Sequence, residues 1–161
     1  MVSGSFTDEC TSSIAVERLW KAGILDAHNL IPKIASDQIK SIEIIQGDGG
    51  VGTVKKFCFT EAVKPFSTLT DRVEVLDNEK HIFKYSIVEG GLIGLRLKSY
   101  SVETTLESGG DGSSVVKVNV EYETLDETDL TGDEKGMIKG GVSKMMKGVE
   151  AYLAANPDAY A

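Results

Sequence analysis

Alternation of hydrophobic and polar positions dominates the middle of the chain and predicts a series of β-strands. The predicted strands span residues 3–12, 40–46, 53–60, 67–76, 80–88, 95–106 and 114–123. Residues typical of tight turns separate the later strands, at 47–52, 77–78, 90–91 and 108–112. Strands joined by such short turns are usually antiparallel neighbours, so the pattern favours one antiparallel sheet.

Helical spacing of hydrophobic residues occurs in three places. Two short helices are predicted between the first two strands, in IAVERLWKAGIL at 14–25 and AHNLIPKIA at 27–35. A long helix is predicted over 132–156, where one apolar stripe recurs at helical spacing. The residues of this stripe are Ile138, Val142, Met145, Val149 and Leu153.

The long helix also contains the pair Gly140-Gly141 in its interior. Each interior glycine costs about 1 kcal/mol relative to alanine. We therefore expect the pair to provide a structural benefit, such as close packing, a bend, or space beside a cavity.

The order of these elements predicts an α+β fold, which we expect to form one domain over residues 1–161. In this fold a seven-stranded antiparallel sheet wraps around the long C-terminal helix, and two short helices follow the first strand. A sheet that curls around one helix does not always fill its interior with side chains. The fold therefore predicts an internal hydrophobic cavity.

The segment GDGGVGTVKK, residues 47–56, contains the G-x-G-x-x-G string of dinucleotide-binding turns, in Gly47, Gly49 and Gly52, with Gly50 between them. Such a turn requires a helix after it, because the helix N-terminus holds the pyrophosphate. Here TVKKFCFTE follows, and it alternates like a strand. The pattern favours a glycine-rich hairpin loop with positive φ angles, and contact of its N–H groups with an anion is the alternative.

Charge and composition exclude several classes of function. The chain has 161 residues, 41% hydrophobic, and its 25 acidic and 17 basic residues give a net charge of −8. This acidity argues against binding of DNA, RNA or an anionic membrane surface. The sequence predicts no metal and no cofactor, and nothing in it demands a dimer, so we expect a monomer.

Cysteine usage and the N-terminal sequence predict a cytoplasmic protein. Cys10 and Cys58 form no C-x-x-C motif and no disulfide framework, which is typical of reduced thiols. The first residues, MVSGSFTDEC, lack the basic region and apolar core of a signal peptide. No apolar run approaches the length of a membrane span.

Four stretches, in the same order along the chain, resemble the plant pathogenesis-related class 10 proteins. They are LDAHNLIPKI at 25–34, GDGGVGTVKK at 47–56, FKYSIVEGGLIG at 83–94 and VEAYLAANPDAY at 149–160. This is the family of the major birch-pollen allergen, within the START-like superfamily, and the similarity covers nearly the whole chain. The resemblance implies the sheet-and-helix fold described above, with a large and mostly apolar cavity.

The resemblance also implies a function. Members of this family bind amphipathic small molecules such as cytokinins, flavonoids, steroids, fatty acids and indoles, and some are induced by pathogens or stress. Some are reported to cleave RNA, and a few relatives are enzymes of alkaloid biosynthesis, including a Pictet–Spengler condensing synthase. In this family the glycine loop is a rigid connector between strands.

Alternation and the resemblance together predict which residues line the cavity. Alternation places Lys55, Phe57 and Phe59 on one face of their strand. It also places His81, Phe83, Tyr85 and Ile87 on one face of another. The resemblance adds Ile24, Phe66, Asp71, Leu97, Val102, Met137, Gly141, Val142 and Met145. Aromatic residues on a sheet face are also typical of an ordinary packed core, which is the alternative.

Lys55 is the charged residue of greatest interest, because a lysine on an apolar face is costly unless it is paired or hydrated. It is suited to bind an acidic or hydroxyl group of a ligand. With a pKa lowered by desolvation, it is also suited to act as a base or an amine nucleophile. A salt bridge at the cavity rim, to Asp26 or Asp71, is the alternative.

The function that we predict from the sequence is ligand binding, with a storage or carrier role, by an intracellular plant defence or stress protein. A small-molecule enzyme of the condensing-synthase or isomerase type is the first alternative. Its acid–base groups would be Lys55, Asp71 and Tyr85, with Lys117 excluded if the valines around it face the core.

A weak ribonuclease is the second alternative, with Lys55, Glu150 and Tyr152 as the candidate catalytic residues. Two observations argue against it. Lys98 occupies the position at which the proposed site in the family has a further acid, and Glu150 and Tyr152 are only two residues apart on a helix. Residues two apart do not face the same way on a helix.

Overall fold

The structure is a computed structural model that describes residues 1–161, and it consists of one sheet and three α-helices. The strands are β1 Ser3–Ser12, β2 Ile39–Gln46, β3 Val54–Phe59, β4 Thr68–Asp77, β5 Ile82–Gly90, β6 Leu97–Gly110 and β7 Ser113–Thr124. The helices are α1 Val16–Trp20, which continues as a π-helical segment Lys21–Leu25, α2 Ala27–Ile34 and α3 Gly132–Ala155. A 3₁₀ turn, Glu61–Val63, precedes β4. None of the helices combines the length and the apolar character needed to cross a bilayer.

The seven strands form a single antiparallel sheet in the order β1-β7-β6-β5-β4-β3-β2. Strands β2 to β7 follow one another as a meander, and β1 closes the other edge by pairing with β7. Register shifts interrupt the ladders of β2, β4 and β6. Such bulges bend a strand and increase its twist, so the sheet is able to curl around α3. The predicted α+β fold is confirmed.

The packed core lies toward the C-terminal half of α3. Val149 and Leu153 of this helix are fully buried, as are Leu19 and Trp20 of α1. The N-terminal half of α3 is covered less completely, because Ile138, like its neighbours along the stripe, is only partly buried. Side chains therefore fill the space between sheet and helix along the C-terminal half of α3, whereas a space remains along its N-terminal half.

Both ends of α3 are fixed by side chains. At its N-terminus Thr131 and Glu134 form a capping box, and the guanidinium group of Arg96 donates to Glu134 at 2.7 Å. At its C-terminus the guanidinium group of Arg18 donates to the carbonyl oxygens of Leu153, Asn156 and Ala159. These bonds satisfy backbone groups that a helix end otherwise leaves unpaired.

The glycine loop between β2 and β3 is a hairpin connection, as the sequence predicts. Gly47, Gly49 and Gly52 have φ angles of 97°, 105° and 90°, a region that favours glycine. Four amide groups of the loop already donate hydrogen bonds within the protein. The N–H groups of Gly49, Gly50, Gly52 and Thr53 donate to Thr53 Oγ1, Asp48 Oδ1, Val73 O and Gly50 O, respectively. An anion would have to compete with these bonds, so the geometry favours the hairpin over the anion-binding alternative.

Candidate functional site

A cavity of about 230 Å³ lies between the concave face of the sheet and the N-terminal half of α3. A second space of about 60 Å³ adjoins it toward α1 and α2. We call these the larger and the smaller compartment. They share the lining residues Phe57, Asp71, Tyr85, Val142 and Met145.

The walls of both compartments are mostly apolar. The larger compartment is lined by Ala35, Gln38, Ile39, Phe57, Phe59, Val63, Phe66, Leu69, Asp71, Tyr85, Ile87, Gly91, Leu92, Tyr100, Val102, Met137, Ile138, Gly141, Val142, Lys144 and Met145. The smaller compartment is lined by Gly23, Ile24, Ala27, Ile31, Lys55, Phe57, Asp71, Phe83, Tyr85, Thr104, Val142, Met145, Met146 and Val149. A lining that is apolar apart from a few polar groups is typical of small-molecule sites.

Of the residues that the sequence places in the cavity lining, all but two lie in these walls. The exceptions are His81 and Leu97. Alternation along β3 and β5 positions the aromatic residues, because side chains of every second residue point to the same face.

The prediction that His81 lines the cavity is wrong. His81 lies before the start of β5 and has a φ of 55°, so the alternation of the strand does not extend to it. Its ring packs edge-on against Trp20, and its Nε2 lies 2.8 Å from the carboxylate of Glu17. His81 therefore belongs to a polar contact near α1, outside the cavity.

The prediction that Leu97 lines the cavity is also wrong. Leu97 is fully buried in the packed core, at the first residue of β6. Leu97 lies an odd number of residues before Val102, so the alternation that carries Val102 into the cavity does not itself place Leu97 there. Its backbone also closes the preceding turn, since its N–H donates to the carbonyl of Leu92.

Several lining residues are not among those predicted from the alternation of the strands or from the resemblance. Tyr100 and Leu69 carry a usable signal, because they lie two residues before Val102 and Asp71 and so share their faces. Ala35 and Gln38 carry none, since they lie in the irregular connection between α2 and β2.

Lys55 and Asp71 form the polar centre of the site, and we call them the polar pair. They lie directly opposite each other on β3 and β4. Lys55 is 8% exposed and Asp71 is 2% exposed. No direct ion pair joins them: Asp71 Oδ1 has no hydrogen-bond partner, and Lys55 Nζ lies 5.2 Å from the centroid of the Phe83 ring. This cation–π contact offsets part of the cost of burying the ammonium group.

Burial shifts the pKa values of the groups around the polar pair. Desolvation raises the pKa of Asp71 to about 6, although the positive charge of Lys55 acts in the opposite direction. Desolvation lowers the pKa of Lys55, and the Asp71 carboxylate opposes that shift. The pKa values of Tyr85 and Tyr100 are raised by burial first and by the negative charge of Asp71 second. Both phenols therefore stay neutral and available as hydrogen-bond donors at physiological pH.

The alternative of a salt bridge from Lys55 to Asp26 is excluded by the position of Asp26. The carboxylate of Asp26 accepts hydrogen bonds from Tyr160 and from the side-chain amide of Asn29. Asp26 lines neither compartment. Asp71 lies directly opposite Lys55 on the neighbouring strand, but the two side chains form no direct ion pair.

Comparison with known proteins decides the family. The sequence profile of the Pathogenesis-related protein Bet v 1 family matches residues 1–156. The chain is 41% identical over 156 residues to the major strawberry allergen Fra a 1-2 of Fragaria ananassa, a match that covers 97% of both proteins. The chain belongs to the Bet v 1 family.

Solved structures of similar proteins agree with this assignment. Ara h 8.0201 superposes with a TM-score of 0.86 at 31% identity, covering 96% of this chain and 100% of that one. Norcoclaurine synthase from Thalictrum flavum, in complex with dopamine and hydroxybenzaldehyde, superposes with a TM-score of 0.77 at 20% identity. That match covers 96% of this chain and 88% of the synthase, and at this identity it shows a shared fold alone.

The ribonuclease candidates do not meet in this member of the Bet v 1 family. Lys55 lies in the smaller compartment, whereas Glu150 lines a separate surface cleft with Cys10 and Lys147. Tyr152 is partly buried and lines neither compartment. A concerted acid–base reaction needs its groups within reach of one substrate atom, and this trio does not provide that.

Lys117, the fourth candidate for small-molecule catalysis, lies outside the cavity of this Bet v 1 family member. The valines on either side of it face the core, and Lys117 pairs on the opposite face with Glu107 at 2.9 Å. The candidates that the fold does bring together are Lys55, Asp71 and Tyr85.

Proposed function

We propose that this chain is an intracellular plant defence or stress protein that binds flat, amphipathic small molecules in the cavity, and that it stores or carries them. The observation that carries the proposal is the polar pair inside an apolar wall. A buried carboxylate oxygen without a partner costs about 1–3 kcal/mol or more. Oδ1 of Asp71 is such an atom, and it lies in a residue that lines both compartments. A ligand that hydrogen-bonds to the Asp71 carboxylate offsets part of this cost.

The shape of the cavity supports a ligand with two or three fused or linked rings. Its larger compartment holds about 230 Å³, whereas an engineered cavity of roughly 150 Å³ accommodates benzene. Phe57, Phe59 and Tyr85 supply flat faces against which rings stack. The ligand classes of this kind are cytokinins, flavonoids, indoles and alkaloid precursors.

The expected affinity is micromolar. A ligand that buries about 200–300 Å² of apolar surface gains roughly 5–7 kcal/mol at about 25 cal/mol/Å². Losses of translational and rotational freedom reduce this gain, and hydrogen bonds to the polar pair add to it. Apolar walls discriminate weakly between rings of similar size, so we expect several ligands to bind.

Catalysis on a small molecule is a second candidate, favoured by the pKa of Asp71. A carboxyl group with a pKa of about 6 beside a desolvated lysine is the kind of environment in which acid–base chemistry runs near neutral pH. The synthase that shares the fold, crystallised with dopamine and hydroxybenzaldehyde, shows that this architecture accommodates an enzyme. Whether the bound molecule returns unchanged separates the two candidates.

The test is displacement of the uncharged fluorescent probe N-phenyl-1-naphthylamine by a panel of the ligand classes named above. Three proteins are compared: wild type, Lys55→Met and Lys117→Met. The last is a matched control, because it removes a lysine from the outer face of the sheet. After incubation the displacing compounds are recovered and analysed by mass spectrometry.

We expect at least one class to displace the probe at micromolar concentration and to be recovered intact. Lys55→Met should lower the affinity for ligands with a polar head group by about tenfold or more, since hydrogen bonds to charged groups contribute about 1.5–3 kcal/mol. Lys117→Met should bind like wild type. A panel in which no compound displaces the probe contradicts ligand binding, and a chemically altered compound favours the enzyme over the carrier.

A further inference from the structure

We propose that the polar pair makes the cavity select uncharged ligands whose head group presents a hydrogen-bond donor beside an acceptor, as a phenolic hydroxyl does. Carboxylates and ammonium ions on the same ring system should bind more weakly. This inference rests on the proposed function and specifies the ligand chemistry of the same site.

Lys55 and Asp71 both line the smaller compartment, and no ion pair joins them. Lys55 and Asp71 are cross-strand neighbours on the cavity face, yet Asp71 Oδ1 has no partner and the lysine ammonium lies over Phe83. Directly opposed side chains on a sheet have Cβ atoms only about 5 Å apart. A ligand hydroxyl between them is able to accept a hydrogen bond from Lys55 and donate its own to Asp71. One small head group then satisfies both buried charges.

The charges of the polar pair account for the preference for uncharged head groups. The polar pair carries one positive and one negative charge, both almost fully buried. A carboxylate that reaches Lys55 is brought close to the Asp71 carboxylate, and an ammonium that reaches Asp71 is brought close to Lys55. Like charges at close range cost several kcal/mol in a poorly hydrated site. An uncharged head group avoids both repulsions.

The surroundings contain few other charges that would change this count. Tyr85 of β5 and Tyr100 of β6 face the same cavity, and both are neutral phenols whose pKa values are raised. From α3, Lys144 lines the larger compartment, but it is exposed to solvent, which screens its charge. The lining residues from α2 and from the π-helical segment are Gly23, Ile24, Ala27 and Ile31, which carry no charge.

The same arrangement makes the selection depend on pH. As the pH falls through about 6, Asp71 gains a proton and the pair becomes net positive. The repulsion against a ligand carboxylate then disappears, while Lys55 continues to attract it. Carboxylate ligands should therefore gain affinity in mildly acidic solution, provided that the ligand itself stays ionised.

The experiment uses three ligands that share one ring system: 2-naphthol, 2-naphthoate and 2-naphthylmethylammonium. Each displaces N-phenyl-1-naphthylamine from wild type, Asp71→Asn, Lys55→Met and the control Lys117→Met, at about pH 7.5 and about pH 5. Near-UV circular dichroism verifies the fold of each variant. The wild-type comparison of ligands and pH values does not depend on any variant.

We expect wild type at the higher pH to bind 2-naphthol about tenfold or more tightly than either charged ligand. Lowering the pH should increase the affinity of wild type for 2-naphthoate. It should leave the affinity of Asp71→Asn for this ligand unchanged. Compared with wild type, Asp71→Asn should have a higher affinity for 2-naphthoate relative to 2-naphthol. Lys55→Met should have a higher affinity for 2-naphthylmethylammonium relative to 2-naphthol. Lys117→Met should keep the wild-type order.

The outcomes distinguish failure of the charge selection from failure of ligand binding in the cavity. Equal affinities for the three ligands, or an order that neither pH nor the variants change, overturn the charge selection while leaving cavity binding intact. Failure of all three ligands to displace the bound probe, together with failure of the wider panel, overturns the proposed function itself.

Discussion

Asp71 is the residue at which stability and function oppose each other most clearly. Its carboxylate is buried, its Oδ1 has no partner, and the nearest opposite charge, on Lys55, lies over an aromatic ring instead of forming a direct pair. A fold optimised for stability alone would place an apolar residue here, because isolated buried charges are expensive. In the proposed function, a bound ligand offsets part of this cost.

The raised pKa of Asp71 predicts an unusual pH dependence of stability. An unfolded chain holds this carboxyl at a pKa of about 3.9, whereas the folded protein holds it at about 6. The folded state therefore binds the proton more tightly. The resulting stabilisation, roughly 3 kcal/mol, is present below about pH 4 and is lost as the pH rises through about 6.

Asp71→Asn removes this titration. As the pH rises from about 4 to about 6.5, the free energy of unfolding of the variant should therefore increase relative to that of wild type. Urea denaturation of both proteins across this range measures the difference. Asp37→Asn, which changes an exposed carboxylate, is the matched control. Curves for wild type and Asp71→Asn that stay parallel across the range contradict the raised pKa.

Alternation in the sequence locates the lysine and most of the aromatic residues of the site, but not their interactions. It places Lys55, Phe57 and Tyr85 on the cavity face because the period of a strand does not depend on what surrounds it. It misplaces His81, because the positive φ of that residue ends the alternation just before β5. It also does not show that Lys55 and Asp71 avoid direct contact, since that depends on Phe83, a neighbour from another strand.

At the scale of elements, α3 has two halves with different roles. Its C-terminal half carries Val149 and Leu153 into the core, and its N-terminal half forms one wall of the cavity. The hydrophobic stripe in the sequence predicts the helix and its inward face correctly. It does not distinguish the two halves, because the stripe is equally apolar where it meets side chains and where it meets empty space.

The glycine pair in the cavity half of α3 gives a prediction about this wall. A Cβ atom added at Gly140 or Gly141 meets no atom within 4 Å. The double change Gly140→Ala with Gly141→Ala should therefore stabilise the protein, by about 1–2 kcal/mol in total, because alanine favours the helix. A stiffer helix should also accept a narrower range of ligands. Urea denaturation and the probe-displacement panel measure these two effects.

Gly47→Ala is the contrasting control, because an added Cβ there would lie 2.8 Å from the Cα atom of Thr53, at a φ of 97°. It should destabilise the protein without changing which ligands bind. A glycine-pair variant that is more stable but binds the same panel as wild type contradicts the role of these glycines in ligand range.

At the scale of the whole molecule, the curled sheet can pack α3 along only part of its length. Bulges in β2, β4 and β6 curve the sheet, α1 and the C-terminal half of α3 fill one end, and the other end remains a cavity of about 230 Å³. The order of strands and helices in the sequence predicts this architecture, because short turns enforce antiparallel neighbours. The volume of the cavity was not predictable, since it depends on how the side chains of all these elements pack.

The measurement that tests the central claim most directly is a crystal structure of the protein with 2-naphthol. The account predicts the rings between Phe57, Tyr85 and α3, with the hydroxyl oxygen within hydrogen-bond distance, about 2.6–3.2 Å, of both Lys55 Nζ and a carboxylate oxygen of Asp71. A structure in which the cavity stays empty at saturating ligand, or in which the ligand binds elsewhere, would contradict it.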